Sequence, residues 1–232
     1  MQMKSKKNIL IVAAHPDDEL LGCGGTVLKL KKVGYHVTSL ILGEGATSRS
    51  NHQKSDVKKL RKDALKANQL IGIEKVHFAD FTDNRFDSIS LLKVIKLVEK
   101  YIARYSPEII FTHHQHDLNI DHRITFQAVL TACRPVPGFK HPDIYSFEIP
   151  SSTDWNEIHQ MNAFVPNVFV NIKDEIEKKM AALACYKTEM RPYPHSRSIE
   201  GIRILAQFRG IRVGLEYAEA FQLIRSLHLS IA

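Results

Sequence analysis

His15 and Asp18 stand three residues apart, directly after an apolar run at residues 8–14. If that run is a strand and the next segment opens a helix, the turn between them lets an imidazole and a carboxylate converge on one point. Such a pair suits zinc, and also iron, manganese or cobalt. A catalytic zinc site keeps three protein ligands and one open position, so a third ligand must come from elsewhere. Asp17 cannot share the direction of its neighbours and is free for another role. Acids also favour a helix N-terminus through its dipole, so Asp17, Asp18 and Glu19 alone carry little weight. Residues 112–123 change the balance, because they hold four histidines and two aspartates. A solvated loop has no need of that composition.

The elements that must position these groups follow from the apolar pattern. Residues 8–14, 36–42, 75–78 and 108–112 read as short buried strands. Residues 19–32, 55–71 and 90–105 read as helices, with Gly34, Gly72 and Pro107 as stops. Val57, Leu60, Ala64, Ala67 and Ile71 fall on one helical stripe. Strands alternating with helices imply right-handed βαβ units and a parallel sheet. Prolines break the chain after about residue 134, and residues 174–186 and 216–227 read as two late helices. The later pieces are expected to complete one sheet edge and roof the site. In open α/β sheets ligands bind at the carboxyl ends of the strands, which is where the acids and histidines crowd.

Length and composition narrow the classes. A chain of 232 residues, 44% hydrophobic and 25% charged, is expected to form one domain over residues 1–232. No apolar run is long enough to span a membrane. The basic start at residues 1–7 and the short apolar run behind it fail the signal-peptide pattern, so a cytoplasmic protein is expected. Three cysteines without a C-x-x-C spacing speak against a disulfide framework or a thiolate zinc site. A net charge of +7 admits anionic partners, yet no helix-turn-helix, RNP or zinc-finger pattern supports nucleic acid. A dinucleotide fingerprint starting at Gly22 would need glycine where Val27 stands. Gly22, Gly24 and Gly25 are instead assigned to close helix–sheet packing.

Ala14-His15-Pro16-Asp17-Asp18-Glu19, with the later Asp121-His122-Arg123, resembles the PIG-L/LmbE-like family of metal-dependent N-deacetylases. The resemblance runs over most of the chain. It implies a Rossmann-like, three-layer α/β fold with the active site at the carboxyl ends of the strands. It implies removal of an acetyl group from an N-acetylated sugar or sugar conjugate, with Zn2+ as cofactor and Fe2+, Mn2+ or Co2+ as alternatives. His15, Asp18 and His122 would hold the metal, and Asp17 would be the general base. Many members carry histidine where this chain has Asn119. Asn119 then serves the oxyanion more weakly, or a histidine replaces it, with His195 favoured over His113, His114 and His116. Asp121 would orient a ligand or a neighbour.

For the substrate, Arg61 and Asp83 approximately match the family positions that hold sugar hydroxyls. Arg85 and Arg197 join them as substrate-binding residues, and Arg49, Asn84 and Asp87 lie near the expected approach. Arg191, Arg197, Arg203, Arg209 and Arg212 form an arginine-rich segment that could grip a diphosphate, as in a nucleotide- or lipid-linked sugar. The competing readings are a catalytically impaired carbohydrate-binding relative, a deacylase of a non-sugar amide, and a nucleic-acid binder. The expected partner is a small N-acetylated sugar, with no nucleic acid and no membrane span, and homo-oligomerisation is left open.

Overall fold

A computed structural model describes residues 7–48, 53–156 and 162–227, so Arg49 lies outside the described residues. The first half alternates as its apolar pattern requires: β1 (Asn8–Ala13), α1 (Asp18–Lys32), β2 (His36–Gly43), α2 (Lys54–Ile71), β3 (Lys75–Phe81), α3 (Leu91–Tyr105) and β4 (Ile109–His113). It continues with α4 (Ile120–Ala132), β5 (Asp143–Phe147), β6 (Val168–Asn171), α5 (Ile176–Leu183), α6 (Ile199–Ile211) and β7 (Ala218–Arg225). The strands form a seven-stranded sheet in the order β3-β2-β1-β4-β5-β7-β6. The run from β3 to β5 is parallel, and β7 is antiparallel to both β5 and β6.

The period-two alternation of β1 splits the core between two layers. Ile9 and Ile11 pack with residues of α1, α2, α5 and α6 on one face. Leu10 and Val12 pack with residues of α3 and α4 on the other. Both faces of β1 are therefore covered, which is why its sequence is a continuous apolar run rather than an alternating one. The chain leaves β1 towards β2 and β3 on one side, then returns to β4 on the other. The carboxyl ends of β1 and β4 thus flank the topological switch point.

The residues at 216–227 read as a helix from their composition. They form strand β7 instead. Ala218, Glu219, Ala220, Gln222 and Leu223 favour helix locally. The backbone groups of this segment pair with β5 on one edge and β6 on the other, and that tertiary pairing overrides the propensity.

Helix α1 is broken at Cys23, whose φ of −143° and ψ of 18° are not helical. The break exposes backbone N–H groups in mid-helix. Glu219 on β7 accepts two of them, from Gly25 at 2.7 Å and Thr26 at 2.6 Å. Lys179 on α5 closes the cluster, donating to Glu219 at 2.7 Å and to the Leu21 carbonyl at 2.9 Å. All of this is buried. Gly22 lets α1 lie directly on the Phe147 ring, since a Cβ there would come within 2.4 Å of it.

Candidate active site and metal centre

The candidate metal ligands lie just after β1 or in the helices that follow β1 and β4. His15 leaves β1, and Asp17 and Asp18 open α1. Asp17 has φ 109°, a left-handed conformation that a non-glycine residue adopts only under constraint. Two hydrogen bonds hold this turn. The His15 N–H donates to Asp18 Oδ2 at 2.8 Å, and the Asp17 N–H donates to Glu19 Oε2 at 3.0 Å. Behind the turn, Glu19 also accepts from Asn68 at 2.7 Å and from the Tyr186 hydroxyl. Burial lifts the Glu19 carboxyl to about 7 against the pull of those hydrogen bonds.

Helix α4 presents His122 from its first turn. His122 Nε2 lies 3.3 Å from Asp18 Oδ2 and 3.3 Å from His15 Nδ1, and His15 Nδ1 lies 3.4 Å from Asp18 Oδ2. This is a nearly equilateral triangle of two imidazole nitrogens and a carboxylate oxygen. Ligands about 2.0–2.1 Å from a tetrahedral zinc stand roughly 3.3–3.4 Å apart, so the donor set and its spacing fit such an ion. The three donors lie within 4.8 Å of one another and are candidate metal ligands.

The outer nitrogens of both rings are turned towards carboxylates. His15 Nε2 lies 3.0 Å from Asp121 Oδ2 and 3.2 Å from Asp83 Oδ1. His122 Nδ1 lies 3.1 Å from Asp117 Oδ1. Carboxylates there favour the tautomers that carry the proton on the outer nitrogens and leave a lone pair on each inner one. Asp117 is itself held by Thr153 at 2.5 Å, by Ser152 and by the Asn119 N–H at 2.8 Å. The sequence marks Asp117 only as part of the histidine-rich loop and assigns it no role. Its partners Ser152 and Thr153 lie after β5, a contact that chain spacing does not announce.

The electrostatics follow from burial and pairing. Burial lowers His122, but Asp18 and Asp117 outweigh it and raise it to about 9. Burial also works against His15, yet Asp121, Asp18 and Asp83 hold it well above the ordinary imidazole range. Burial would raise Asp18, but His122 and His113 hold it well below the carboxylate range. Asp17 moves the opposite way. Its burial raises it strongly, opposed by the Arg197 guanidinium. Asp83 is held at about 2, its burial outweighed by His15 and Ser48.

Asp17, Asp18, His15, His122, Asn119, Asp83 and Arg197 line one polar cavity of about 200 Å3. Asp121 lies just behind its wall, accepting the backbone N–H groups of Asn84 and Phe86 at 2.7 and 3.0 Å. The cavity lining also includes Asn84, one of the residues expected near the approach, and Ser48, Ser151, Ser152 and Glu189, which the sequence does not single out. Asn119 caps α4, its side chain accepting from the Asp121 N–H at 2.8 Å and donating to Asn84 at 3.0 Å. His195 sits outside the lining, with its ring against Trp155 and its Nδ1 accepting the Arg197 N–H at 3.0 Å. Arg61 lies on α2 against Asp80 and Phe78, and Arg85 precedes a short 3-10 turn; neither lines the cavity.

The arginine-rich segment does not converge. Arg203 grips Glu177, Arg209 grips Glu148, and Arg191 donates to the Thr188 carbonyl. Among the described residues of that segment, Arg197 alone lines the cavity, and it donates to Asp17 Oδ2 at 3.2 Å.

An open, mostly parallel α/β sheet with a buried His–Asp–His triangle at its switch point defines the class: a doubly wound protein with a candidate metal centre. The chain belongs to the PIG-L family, whose description, GlcNAc-PI de-N-acetylase, matches residues 10–133. It is 29% identical to the uncharacterized deacetylase YaiS of Escherichia coli K12, over 79% of this chain and 92% of that protein. It is 25% identical to the diacetylchitobiose deacetylase of Thermococcus kodakarensis, over 97% of this chain and 86% of that protein. Its fold matches the N,N'-diacetylchitobiose deacetylase from Pyrococcus horikoshii with a TM-score of 0.77, 22% identity, and coverage of 99% and 88% of the two chains. The last comparison speaks to the fold alone.

Proposed function

We propose that this protein is a metal-dependent hydrolase that removes the acetyl group from an N-acetylated sugar or sugar conjugate. The observation that carries the reading is the His15–Asp18–His122 triangle with the Asp17 carboxylate beside it in one cavity. The deacetylase names of the two relatives support the same reaction class. A bound Zn2+, or Fe2+, Mn2+ or Co2+ in its place, supplies Lewis acidity that acidifies water and polarises a carbonyl.

The chain's own residues do the rest. His15, Asp18 and His122 hold the ion, with Asp121 and Asp117 fixing the two imidazole tautomers. Asp17 takes a proton from the attacking water as that oxygen adds to the acyl carbon. The C=O electron pair moves onto the acyl oxygen. When it returns, the C–N bond breaks and Asp17 gives its proton to the departing nitrogen. Amide and water become amine and acetic acid, which ionises to acetate. Asp83, at the cavity wall beside Ser48, is placed to hold a sugar hydroxyl. A cavity of about 200 Å3 has room for the N-acetyl group and the sugar ring that bears it. A cytoplasmic setting belongs to the same reading, supported by three unpaired cysteines.

The test is acetate release from free and nucleotide-linked N-acetyl sugars by protein of measured metal content. Release that requires the metal supports the reading, and the preferred sugar names the substrate. One metal per chain with no turnover on any sugar would favour a binding relative or a non-sugar amide. Steeply salt-dependent binding to nucleic acid, without turnover, would move the protein out of this class.

A further inference from the structure

A hydrolytic addition to an amide puts negative charge on the acyl oxygen, and a buried site needs a donor aimed at it. Asn119 is a weaker choice, because its carbonyl oxygen caps α4, its amide nitrogen already donates once to Asn84, and it carries no positive charge. His195 is turned to Trp155 and lies outside the cavity. His113 is fully buried, and its Nε2 accepts the Ala14 N–H at 2.8 Å. Arg197 remains. It enters from the loop before α6, lines the cavity, and donates through Nη1 to Asp17 Oδ2.

We propose that Arg197 is a catalytic residue whose guanidinium donates to the acyl oxygen as negative charge develops there. The proposal rests on the deacetylase reading given above. A guanidinium presents five N–H donors in a planar fork and stays charged at any working pH. The bond to Asp17 leaves donors to spare. The attacking water must lie within hydrogen-bond reach of Asp17, and about 3–3.5 Å from the acyl carbon. A side chain already bonded to Asp17 is therefore within reach of the oxygen on that carbon. The bond also fixes the fork before substrate arrives, so the donor needs no reorganisation during the reaction. This assigns Arg197 to the reacting amide rather than to a diphosphate further along the substrate.

The experiment compares N-acetyl and N-trifluoroacetyl forms of the preferred sugar, in wild type, Arg197→Ala and Arg197→Lys, each of measured metal content and melting temperature. Three fluorines stabilise the oxyanion on their own, so a missing donor matters less. The expected result for Arg197→Ala is a loss of about 100- to 1,000-fold in kcat on the acetyl sugar, with KM changed less than about threefold. On the trifluoroacetyl sugar the loss should shrink to about tenfold or less, and added guanidinium should restore part of the acetyl rate. Arg197→Lys, which keeps the charge but not the fork, should fall between. An equal loss on both acyl groups would overturn the proposal in favour of a role in placing Asp17. A rise in KM with kcat intact would overturn it in favour of ground-state binding. Wild type that releases neither acyl group from any sugar would overturn the deacetylase reading, and the proposal with it.

Discussion

Asp121 Oδ2 sits 3.0 Å from His15 Nε2 while the Asp121 carboxylate accepts the backbone N–H groups of Asn84 and Phe86. The loop after β3 therefore clamps the carboxylate that orients a candidate metal ligand just after β1. Replacing Asp121 with Asn offers an amide N–H where an acceptor is required. The expected loss of metal affinity is about 10- to 100-fold, measured by competition with a chromophoric chelator. Affinity within threefold of wild type would mean that His15 is held by other contacts.

Asp17→Asn removes the proton acceptor but leaves the His15, Asp18 and His122 donors in place. The expected outcome is a kcat lower by about 100- to 10,000-fold with full metal content by elemental analysis. Loss of metal along with activity would assign Asp17 to the ligand set instead.

The metal-free protein should lose stability as the solution becomes alkaline. His122 is raised from 6.5 to about 9, so the folded chain holds this proton more tightly than the unfolded chain does. That stabilisation is complete below about 6.5 and is lost as pH rises through about 9. Its upper bound is roughly 3 kcal/mol by the usual conversion of pKa shift to free energy. Calorimetry of the metal-free protein should show the melting temperature falling across this window. Metal must displace the same proton, so metal affinity should climb with pH over the same range. A melting temperature that is flat or rising between pH 6.5 and 9 would remove the His122 contribution.

Gly22→Ala tests the contact between α1 and the sheet. Alanine in a helix gains up to about 1 kcal/mol over glycine in propensity. Here the added Cβ would lie 2.4 to 2.8 Å from ring carbons of Phe147, a fully buried side chain with little room to shift. Overpacking costs about 1–3 kcal/mol, so the net change should be destabilising. Chemical denaturation reads the sign directly, and a more stable variant would show that the ring gives way.

The parallel half of the fold was legible because its strands are buried on both faces and its helices carry clean stripes. Gly72 stops α2 in a left-handed conformation, with φ 80°, as its position behind Ile71 leads one to expect. His15, Asp18 and His122 were readable because the first two are neighbours and the third lies in a conspicuous run of histidines. The dependence of His122 on Asp117, and of Asp117 on Ser152 and Thr153, was not readable. It crosses from the loop after β4 to the loop after β5, and no periodicity links the two. Strand β7 was hidden for a related reason, since helix-favouring residues there answer to strands on either side.

The clamp on the broken first helix has a consequence for the order in which the molecule is made. Glu219 reaches back across 194 residues to the Gly25 N–H. On a ribosome, α1 emerges early, and the carboxylate that satisfies its interrupted backbone emerges late. A nascent chain halted before Ala218 would also leave β5 and β6 without the strand that joins them. The segment bearing His15, Asp17 and Asp18 is thus translated well before the strand that secures it.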